Sequence, residues 1–231
     1  MKYIKTELLF LLFVIYWGNT RVSAFTITDN LPVTLIPATA NTNSDYMVIL
    51  YSGDGGWKDF VKDLAGSFAS RGVPVVAVNS LKYFWTYQSP VQAAADAQAL
   101  IKKYSSLLKK EKIILLGYSF GADVVPFIYN RLSADTKRTI EKTALISPSR
   151  GTDFVIRVSN MLNFGSKNWK FSTTEEVKKM NPRPLSFFGK EEDDSCFSIF
   201  RGISTARELE GAHHYTKGGI SIITRNLTDS D

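Results

Sequence analysis

The chain has 231 residues with 28 Lys and Arg, 22 Asp and Glu, two histidines and one cysteine, and its formal net charge is +6. This length suits one domain, and a single cysteine excludes an internal disulfide. So few Cys and His residues argue against a structural zinc site, and we expect no metal and no cofactor. The positive charges form no Lys/Arg block, so we expect no nucleic-acid partner.

Residues 1–24 have the pattern of a secretory signal peptide. Two lysines precede an apolar run from Leu8 to Trp17, and small residues lead to a cleavage point after Ala24. An uncleaved membrane anchor is the alternative, but the run is shorter than the ~20 apolar residues that a spanning helix needs. We therefore expect an exported protein with one mature domain over residues 25–231.

Short apolar runs alternate with helical patterns along the mature chain. Thr and Val alternate within Phe25–Ala38, which predicts an antiparallel edge strand. Trp57–Ser70 and Val91–Leu108 carry apolar residues at the spacings of amphipathic helices. Continuous runs that predict buried strands are Tyr46–Gly53, Val73–Ser80, Lys112–Gly117, Thr143–Pro148, Pro184–Gly189 and Ala206–Gly211. The alternation predicts an α/β fold with a mostly parallel central sheet and helices on both faces.

The segment Arg150–Asn181 departs from this rhythm. It mixes apolar and polar residues without a run that requires a strand. It is either an insertion, over about 150–181, that caps the functional site, or an ordinary crossover with one or two helices.

The pentapeptide Gly117–Gly121, GYSFG, fits the pattern G-x-S-x-G between a strand and a helical segment. In a nucleophile elbow the serine lies on a strained turn, and the glycines are needed because side chains there would collide with neighbouring backbone. Ser119 is therefore the predicted nucleophile, at a helix N-terminus whose dipole favours developing negative charge. The alternative is a glycine-rich turn with a structural serine.

A serine nucleophile needs a base and an acid. The two histidines, His213 and His214, follow the last predicted strand, which gives the order serine, acid, histidine of α/β-hydrolases. We favour His213 as the base, with His214 as a packing or substrate neighbour. The turn after PLSFFG offers the carboxylates of residues 191–194, among which Glu192 ranks first as the acid and Asp193 second.

An oxyanion hole needs backbone N–H groups that point at the tetrahedral intermediate. Phe120, directly after the predicted nucleophile, should provide one donor. The glycine-rich stretch YSGDGGW should provide the other, from Asp54 or Gly55. A simple strand-to-helix turn is the alternative for that stretch.

An aromatic stretch, Leu81–Pro90, follows a predicted strand and should therefore lie at the same edge of the sheet. Tyr83 and Trp85 are its candidate substrate-binding residues, placed to receive acyl chains or to meet a membrane. Packing over the site is the alternative explanation.

Four motifs in order, YSGDGGW, NSLKYFW, GYSFGADVVPFIYNRL and GAHHY, resemble the VirJ/AcvB family of bacterial virulence proteins. The resemblance runs from about Tyr51 to Tyr215. It implies a protein that has the α/β-hydrolase fold and is exported to the periplasm. The family is associated with hydrolysis of lysyl-phosphatidylglycerol and with type IV secretion, where a chaperone or adaptor role has been proposed.

By position, the resemblance implies Ser119 as the nucleophile, the Glu192/Asp193 turn as the acid and the pair His213–His214 as the base. The chain departs from the family before the histidine pair, where members often have two glycines and this chain has Gly211-Ala212. The resemblance therefore leaves the acid open between Glu192 and Asp193, and the base open between His213 and His214.

Lysyl-phosphatidylglycerol carries its lysine through an ester, which suits a serine nucleophile with an oxyanion hole. Asp54, Asp123 and the 191–194 cluster could oppose the lysyl charge, although Asp123 is also explained as a first-turn helix acid. Three hypotheses remain: an esterase for aminoacylated phospholipid at the membrane surface, a serine hydrolase of other specificity, and a chaperone that binds secretion-system proteins. We expect a monomer.

Overall fold

The computed structural model describes residues 31–40, 44–157, 169–193 and 195–229. The predicted signal peptide lies outside the described residues. The strands are β1 Val33–Ile36, β2 Tyr46–Tyr51, β3 Val75–Val78, β4 Lys112–Tyr118, β5 Ile140–Ile146, β6 Gly151–Thr152, β7 Phe171–Ser172, β8 Leu185–Gly189 and β9 Thr205–Leu209. The helices are α1 Asp59–Ser70, α2 Ser80–Tyr83, α3 Pro90–Leu108, α4 Phe120–Arg131, α5 Ala134–Thr139, α6 Thr173–Val177, α7 Phe197–Phe200 and α8 Lys217–Thr228.

Seven of these strands form one sheet in the order β1-β3-β2-β4-β5-β8-β9. Strand β1 pairs with β3 in the antiparallel direction, and every other pairing in this sheet is parallel. The predicted antiparallel edge strand is therefore confirmed, and each of the six predicted runs contributes a strand. The prediction that the run Ala206–Gly211 is buried was wrong, because β9 is the other edge strand and is mostly exposed. The predicted fold class, a mostly parallel α/β sheet, is also confirmed.

The sheet is covered on both faces because side chains of a strand alternate between them. In β2, Met47, Ile49 and Tyr51 pack in one core cluster with α3 and α4. Val48 and Leu50 pack in a second cluster with α1 and α8. All five are essentially inaccessible to solvent, and burial of each such side chain contributes about 1.5–3 kcal/mol.

The segment Arg150–Asn181 contains a small second sheet in which β6 pairs with β7. The prediction that no strand is needed there was wrong. Two-residue strands leave no periodic pattern in a sequence, and this pair depends on close packing at Gly151, where a Cβ would lie 2.7 Å from the Phe171 carbonyl oxygen. Residues 158–168 lie outside the described residues, so the cap stays a prediction.

Candidate active site

The predicted site residues come together at one edge of the sheet. Ser119 directly follows β4, Glu192 follows β8, His213 follows β9, and Asp54 lies in the loop after β2. Parallel strands that are neighbours in a sheet end at the same edge, and loops at that edge form the ligand crevice of open α/β sheets. The topology thus places four distant parts of the chain in one crevice.

Ser119 lies on a strained turn, as the G-x-S-x-G pattern predicts. Its backbone has φ 52° and ψ −121°, a conformation that non-glycine residues rarely adopt. The turn is fixed by the Ser119 N–H, which donates to the Ile146 carbonyl oxygen at 2.8 Å. The flanking glycines are sterically required, because a Cβ at Gly117 would lie 2.4 Å from the Gly121 oxygen and one at Gly121 would lie 2.2 Å from the Tyr51 oxygen.

We expect Gly121→Ala to lower the free energy of unfolding by about 3 kcal/mol or more, because the added methyl group overlaps rigid strand backbone. The matched control is Gly66→Ala in α1, where an added Cβ meets no atom within 4 Å. That change should stabilise the protein by about 0.5–1 kcal/mol through helix propensity. Urea unfolding of both variants measures the difference, and equal stabilities would contradict the steric account of the elbow.

Ser119, His213 and Glu192 form a continuous chain of hydrogen bonds. Nε2 of His213 lies 3.0 Å from Oγ of Ser119, and Nδ1 of His213 lies 2.6 Å from Oε1 of Glu192. The His213 side chain is 43 % exposed and that of Glu192 only 10 %. The serine and imidazole therefore face the crevice, while the carboxylate lies behind the ring.

Glu192 is held by groups that favour its charged form. Ser147 donates from Oγ to Oε2 at 3.0 Å, and the Gly189 N–H donates to the same oxygen at 3.2 Å. Burial on its own would raise the pKa of Glu192, but the hydrogen bond and charge of His213, together with the Gly189 and Ser147 hydrogen bonds, hold that pKa below its usual value. The carboxylate is thus kept ionised beside the imidazole.

The other two candidates for the acid and the base lie beside this chain of contacts. Asp193 is exposed and lines the crevice. His214 points away from Ser119: its Nδ1 lies 2.7 Å from the Tyr118 hydroxyl, and its ring stacks on Phe60 with centroids 6.0 Å apart. His214 is therefore a packing neighbour of the site.

The predicted oxyanion donors lie next to Ser119. Phe120 is the first residue of α4, where the N–H groups have no partner within the helix. Asp54 lines the crevice, and its loop touches the nucleophile, since a Cβ at Gly53 would lie 3.3 Å from Cβ of Ser119. Gly55 is not part of the lining and packs against Lys58. This geometry favours Asp54 over Gly55 as the second donor.

The crevice has a volume of about 590 Å³, large enough for a small organic group. Its lining is unusually acidic for a protein with a formal net charge of +6. Arg157 and His213 are the basic side chains in the described lining. The acidic ones are Asp54, Asp123, Asp153, Glu191, Glu192 and Asp193. A cationic ligand would therefore meet a favourable field in this crevice.

Asp123 is the most deeply buried of these carboxylates, with 7 % of its surface exposed. The Ser149 N–H and Oγ donate to its two oxygens at 2.6 and 2.7 Å. Burial raises the pKa of Asp123 to about 7, with a smaller upward contribution from Asp54, against the lowering effect of the Ser149 hydrogen bonds and the His213 charge. Asp123 also lies in the first turn of α4, which agrees with its alternative explanation as an acid placed at the start of a helix.

Tyr83 and Trp85 are not part of the described crevice lining. Tyr83 is 8 % exposed and its hydroxyl donates to Asp96 in the core, because the short helix α2 turns its side chain inward. The prediction that Tyr83 binds substrate was therefore wrong. Trp85 lies on the surface, 57 % exposed, and its two suggested roles, receiving acyl chains and meeting a membrane, stay predictions.

Several residues of the site were missed by the sequence analysis. Ser147 has φ 50° and connects Glu192 to the Tyr215 hydroxyl at 2.8 Å, while Ser149 holds Asp123. Both serines follow β5, and their position at the carboxyl end of a predicted strand was the signal that could have identified them. The third missed residue is Tyr215, and the signal that could have identified it was its position directly after the histidine pair.

Within the described ranges, no group of three or more His, Cys, Asp or Glu side chains is arranged to hold a metal ion. Over the same residues, none of the helices has the length and hydropathy required to cross a bilayer.

The fold and the Ser-His-Glu arrangement define the class as α/β-hydrolase. The structure resembles the esterase domain of a Rhodothermus marinus protein (TM-score 0.61, 10% identity, covering 86% of this chain and 90% of that chain). It also resembles Est1E from Butyrivibrio proteoclasticus with bound ferulic acid (TM-score 0.58, 11% identity, covering 86% of this chain and 92% of that chain). A third similar structure is an alpha-beta serine hydrolase homologue from Coxiella burnetii (TM-score 0.55, 16% identity, covering 85% of this chain and 89% of that chain). At these identities the likeness shows the fold.

The model of one protein family matches most of the chain. This family is described as bacterial virulence protein (VirJ), and the match covers residues 45–230. The chain belongs to the VirJ family, as the motifs from YSGDGGW to GAHHY predict. No curated protein matches the sequence.

Proposed function

We propose that this protein is an exported serine esterase that cleaves the aminoacyl ester of lysyl-phosphatidylglycerol. The observation that carries the proposal is the unbroken contact from Ser119 through His213 to Glu192, at 3.0 and 2.6 Å. These distances lie within the range that nucleophile, base and acid require for acyl transfer. The strained elbow of Ser119 and the adjacent N–H of Phe120 support the same chemistry.

In the first half of the reaction, Nε2 of His213 accepts the Ser119 proton while Oγ attacks the ester carbonyl carbon. The N–H groups of Phe120 and Asp54 stabilise the oxyanion of the tetrahedral intermediate. The bond from the carbonyl carbon to the glycerol oxygen then breaks, and His213 returns the proton to that oxygen. Phosphatidylglycerol leaves, and Ser119 carries the lysyl group as an ester.

In the second half, His213 accepts a proton from water, and the hydroxyl oxygen attacks the lysyl carbonyl carbon. The bond to Ser119 breaks, the serine regains its proton from His213, and free lysine leaves. Throughout, the Glu192 carboxylate orients the imidazole and stabilises its charged form. The donors on Glu192 support this role because they keep the carboxylate ionised.

The acidic crevice supports a cationic acyl group. Beside the triad it presents Asp54, Asp123, Asp153, Glu191 and Asp193 against one arginine in the described lining. A neutral acyl group gains nothing from such a field, whereas a lysyl group brings one ammonium at its α-carbon and another at its side-chain end. Charge complementarity therefore favours lysyl among aminoacyl esters.

Surface aromatic residues support approach to a lipid surface, and the proposed partner is a membrane that contains the aminoacylated lipid. Trp85 and Tyr87 are 57 % and 48 % exposed, and Trp169, at the crevice, is 38 % exposed. Lys170 lies 5.3 Å from the Tyr87 ring. Aromatic rings with polar edges, next to a lysine, suit the interface of an anionic membrane. The predicted leader would place the protein in the periplasm.

The proposed function predicts that the purified mature protein releases free lysine from vesicles containing lysyl-phosphatidylglycerol. Lysine is measured by mass spectrometry, beside the Ser119→Ala variant and vesicles without enzyme. Absence of release, with Ser119 still reactive toward a fluorophosphonate, would reject this lipid and leave an esterase of other specificity. Absence of both would favour the chaperone or adaptor hypothesis.

We expect kcat/KM to be higher for lysyl- than for alanyl-phosphatidylglycerol by about ten- to a hundredfold. The distal ammonium of lysine pairs with crevice carboxylates, and a partly desolvated charge contact is worth ~1.5–3 kcal/mol. Raising the salt concentration should reduce the ratio, because the rim of the crevice is open to solvent. Competition between the two lipids in one vesicle measures the ratio of their kcat/KM values, and equal values would contradict selection by charge.

A further inference from the structure

Asp123 has a position that the reaction described above does not use. It lies four residues after Ser119 on α4, in the wall of the same crevice, and only 7 % of its surface is exposed. The two hydrogen bonds that its carboxylate accepts from described residues both come from Ser149. A carboxylate offers about four lone-pair positions, so Asp123 keeps acceptor capacity toward the crevice.

Among the described residues, no cation compensates the burial of Asp123. Over the part of the chain that the structure describes, no lysine or arginine forms an ion pair with it. The ionisable groups that act on it are His213 and Asp54. It acts in turn on the Cys196 thiol, to which Arg150 also forms a hydrogen bond. Removing a charge from water is costly unless an opposite charge replaces the solvent.

The helix dipole does not account for this arrangement. Stabilisation of a first-turn acid by the dipole is small and is available to an exposed side chain, whereas Asp123 is buried beside the predicted nucleophile. Burial raises the pKa of its carboxyl to about 7, which is the expected result when a carboxylate is desolvated without a cation. A cationic group in the crevice would supply the missing charge.

We propose that Asp123 is a specificity-determining residue that binds the side-chain ammonium of the lysyl group. This inference rests on the proposed function, since it assigns a partner to part of its substrate. The four residues from Ser119 to Asp123 correspond to ~6 Å along the helix, a separation that the four methylene groups of a lysyl side chain can span. The loop that carries Asp54 touches Ser119, so Asp54 is the candidate partner of the α-ammonium.

Soluble esters test this assignment without a membrane. The p-nitrophenyl esters of Nα-acetyl-lysine and Nα-acetyl-norleucine have similar side-chain length and differ in the terminal ammonium. We expect wild type to prefer the lysine ester, and Asp123→Asn to lower the ratio of the two kcat/KM values by about tenfold or more. The control is Asp135→Asn, an exposed carboxylate on α5 outside the described crevice lining, which should leave the ratio unchanged within about twofold.

An unchanged ratio in Asp123→Asn would overturn the inference, even if the enzyme releases lysine from the lipid. A third ester, norleucine with a free α-amine, tests the alternative source of the ammonium. If Asp123→Asn instead lowers the preference for this ester over its acetylated form, Asp123 binds the α-ammonium and the assignment to the side chain is wrong. Turnover of none of the esters would overturn both this inference and the proposed esterase.

The pH dependence in wild type gives a second readout, needed if Asp123→Asn does not fold. Below its pKa of about 7, Asp123 is neutral and attracts an ammonium weakly; above it, the carboxylate is charged. The preference for Nα-acetyl-lysine over Nα-acetyl-norleucine should therefore rise between about pH 6 and pH 8. The lysine ammonium stays charged over this range. A flat ratio would overturn the inference.

Discussion

Ser119→Ala is expected to abolish labelling of the protein by a fluorophosphonate probe and to lower kcat toward any ester substrate by about 10⁴-fold or more. The probe reacts with a serine that a neighbouring base activates, and Oγ of Ser119 lies 3.0 Å from Nε2 of His213. Labelling is measured by gel fluorescence and by the mass of the labelled peptide. The variant should keep its melting temperature, because alanine fits the space of serine.

The matched control is Ser106→Ala, a serine on the exposed side of α3, which should be labelled and turn over esters as wild type does. Labelling that persists in Ser119→Ala would assign the reactive nucleophile to another residue. That result would contradict the assignment of Ser119 as the nucleophile and would leave the fold class unchanged.

His213→Ala is expected to lower kcat by about 10⁴-fold or more, whereas His214→Ala should lower it by about tenfold or less. Only the His213 ring contacts both Ser119 and Glu192. His214 contacts the Tyr118 hydroxyl and stacks on Phe60, so its loss acts through the packing of the loop. Steady-state kinetics with one soluble ester compares the variants at equal, verified folding.

Melting temperatures serve as the folding control for both variants. His213 is half-buried and His214 is exposed, so each substitution should change the free energy of unfolding by less than about 1 kcal/mol. The opposite ranking in kcat would make His214 the base and would require a different arrangement of the loop after β9 in solution.

Much of the fold could be predicted because buried parallel strands leave a strong pattern. Runs such as YMVILY and KIILLGY are apolar without alternation, since both faces of the sheet are covered, and each ends at a turn. The short strands β6 and β7 could not be predicted, because a two-residue pair has no period. Their pairing depends on the close approach of Gly151 to Phe171, which a sequence does not display.

The candidate site was predictable where local backbone geometry imposes residue types. The glycines around Ser119 are such a case, since any Cβ there overlaps backbone. The choice between His213 and His214 depends on which ring the loop turns toward Ser119, and the two adjacent residues share every local signal in the sequence. His213 and Glu192 rank first among the candidates in the sequence; in the structure these two residues contact each other, and His213 contacts Ser119.

Contacts between distant segments account for what was missed. Ser147 is 45 residues from Glu192, and Ser149 is 26 residues from Asp123, so neither pair has a local signature. Tyr83 was misassigned for a related reason. Its neighbourhood is aromatic and follows a strand, but the inward direction of its side chain is set by Asp96 on α3, a residue that the motif does not include.

The most direct test of the account is the covalent intermediate. The purified mature protein is mixed briefly with vesicles of lysyl-phosphatidylglycerol, quenched in acid and digested. We expect the peptide that contains Ser119 to carry one lysyl group, which disappears on longer incubation as free lysine accumulates. Release of lysine without any adduct on Ser119, or release that continues in Ser119→Ala, would contradict the account.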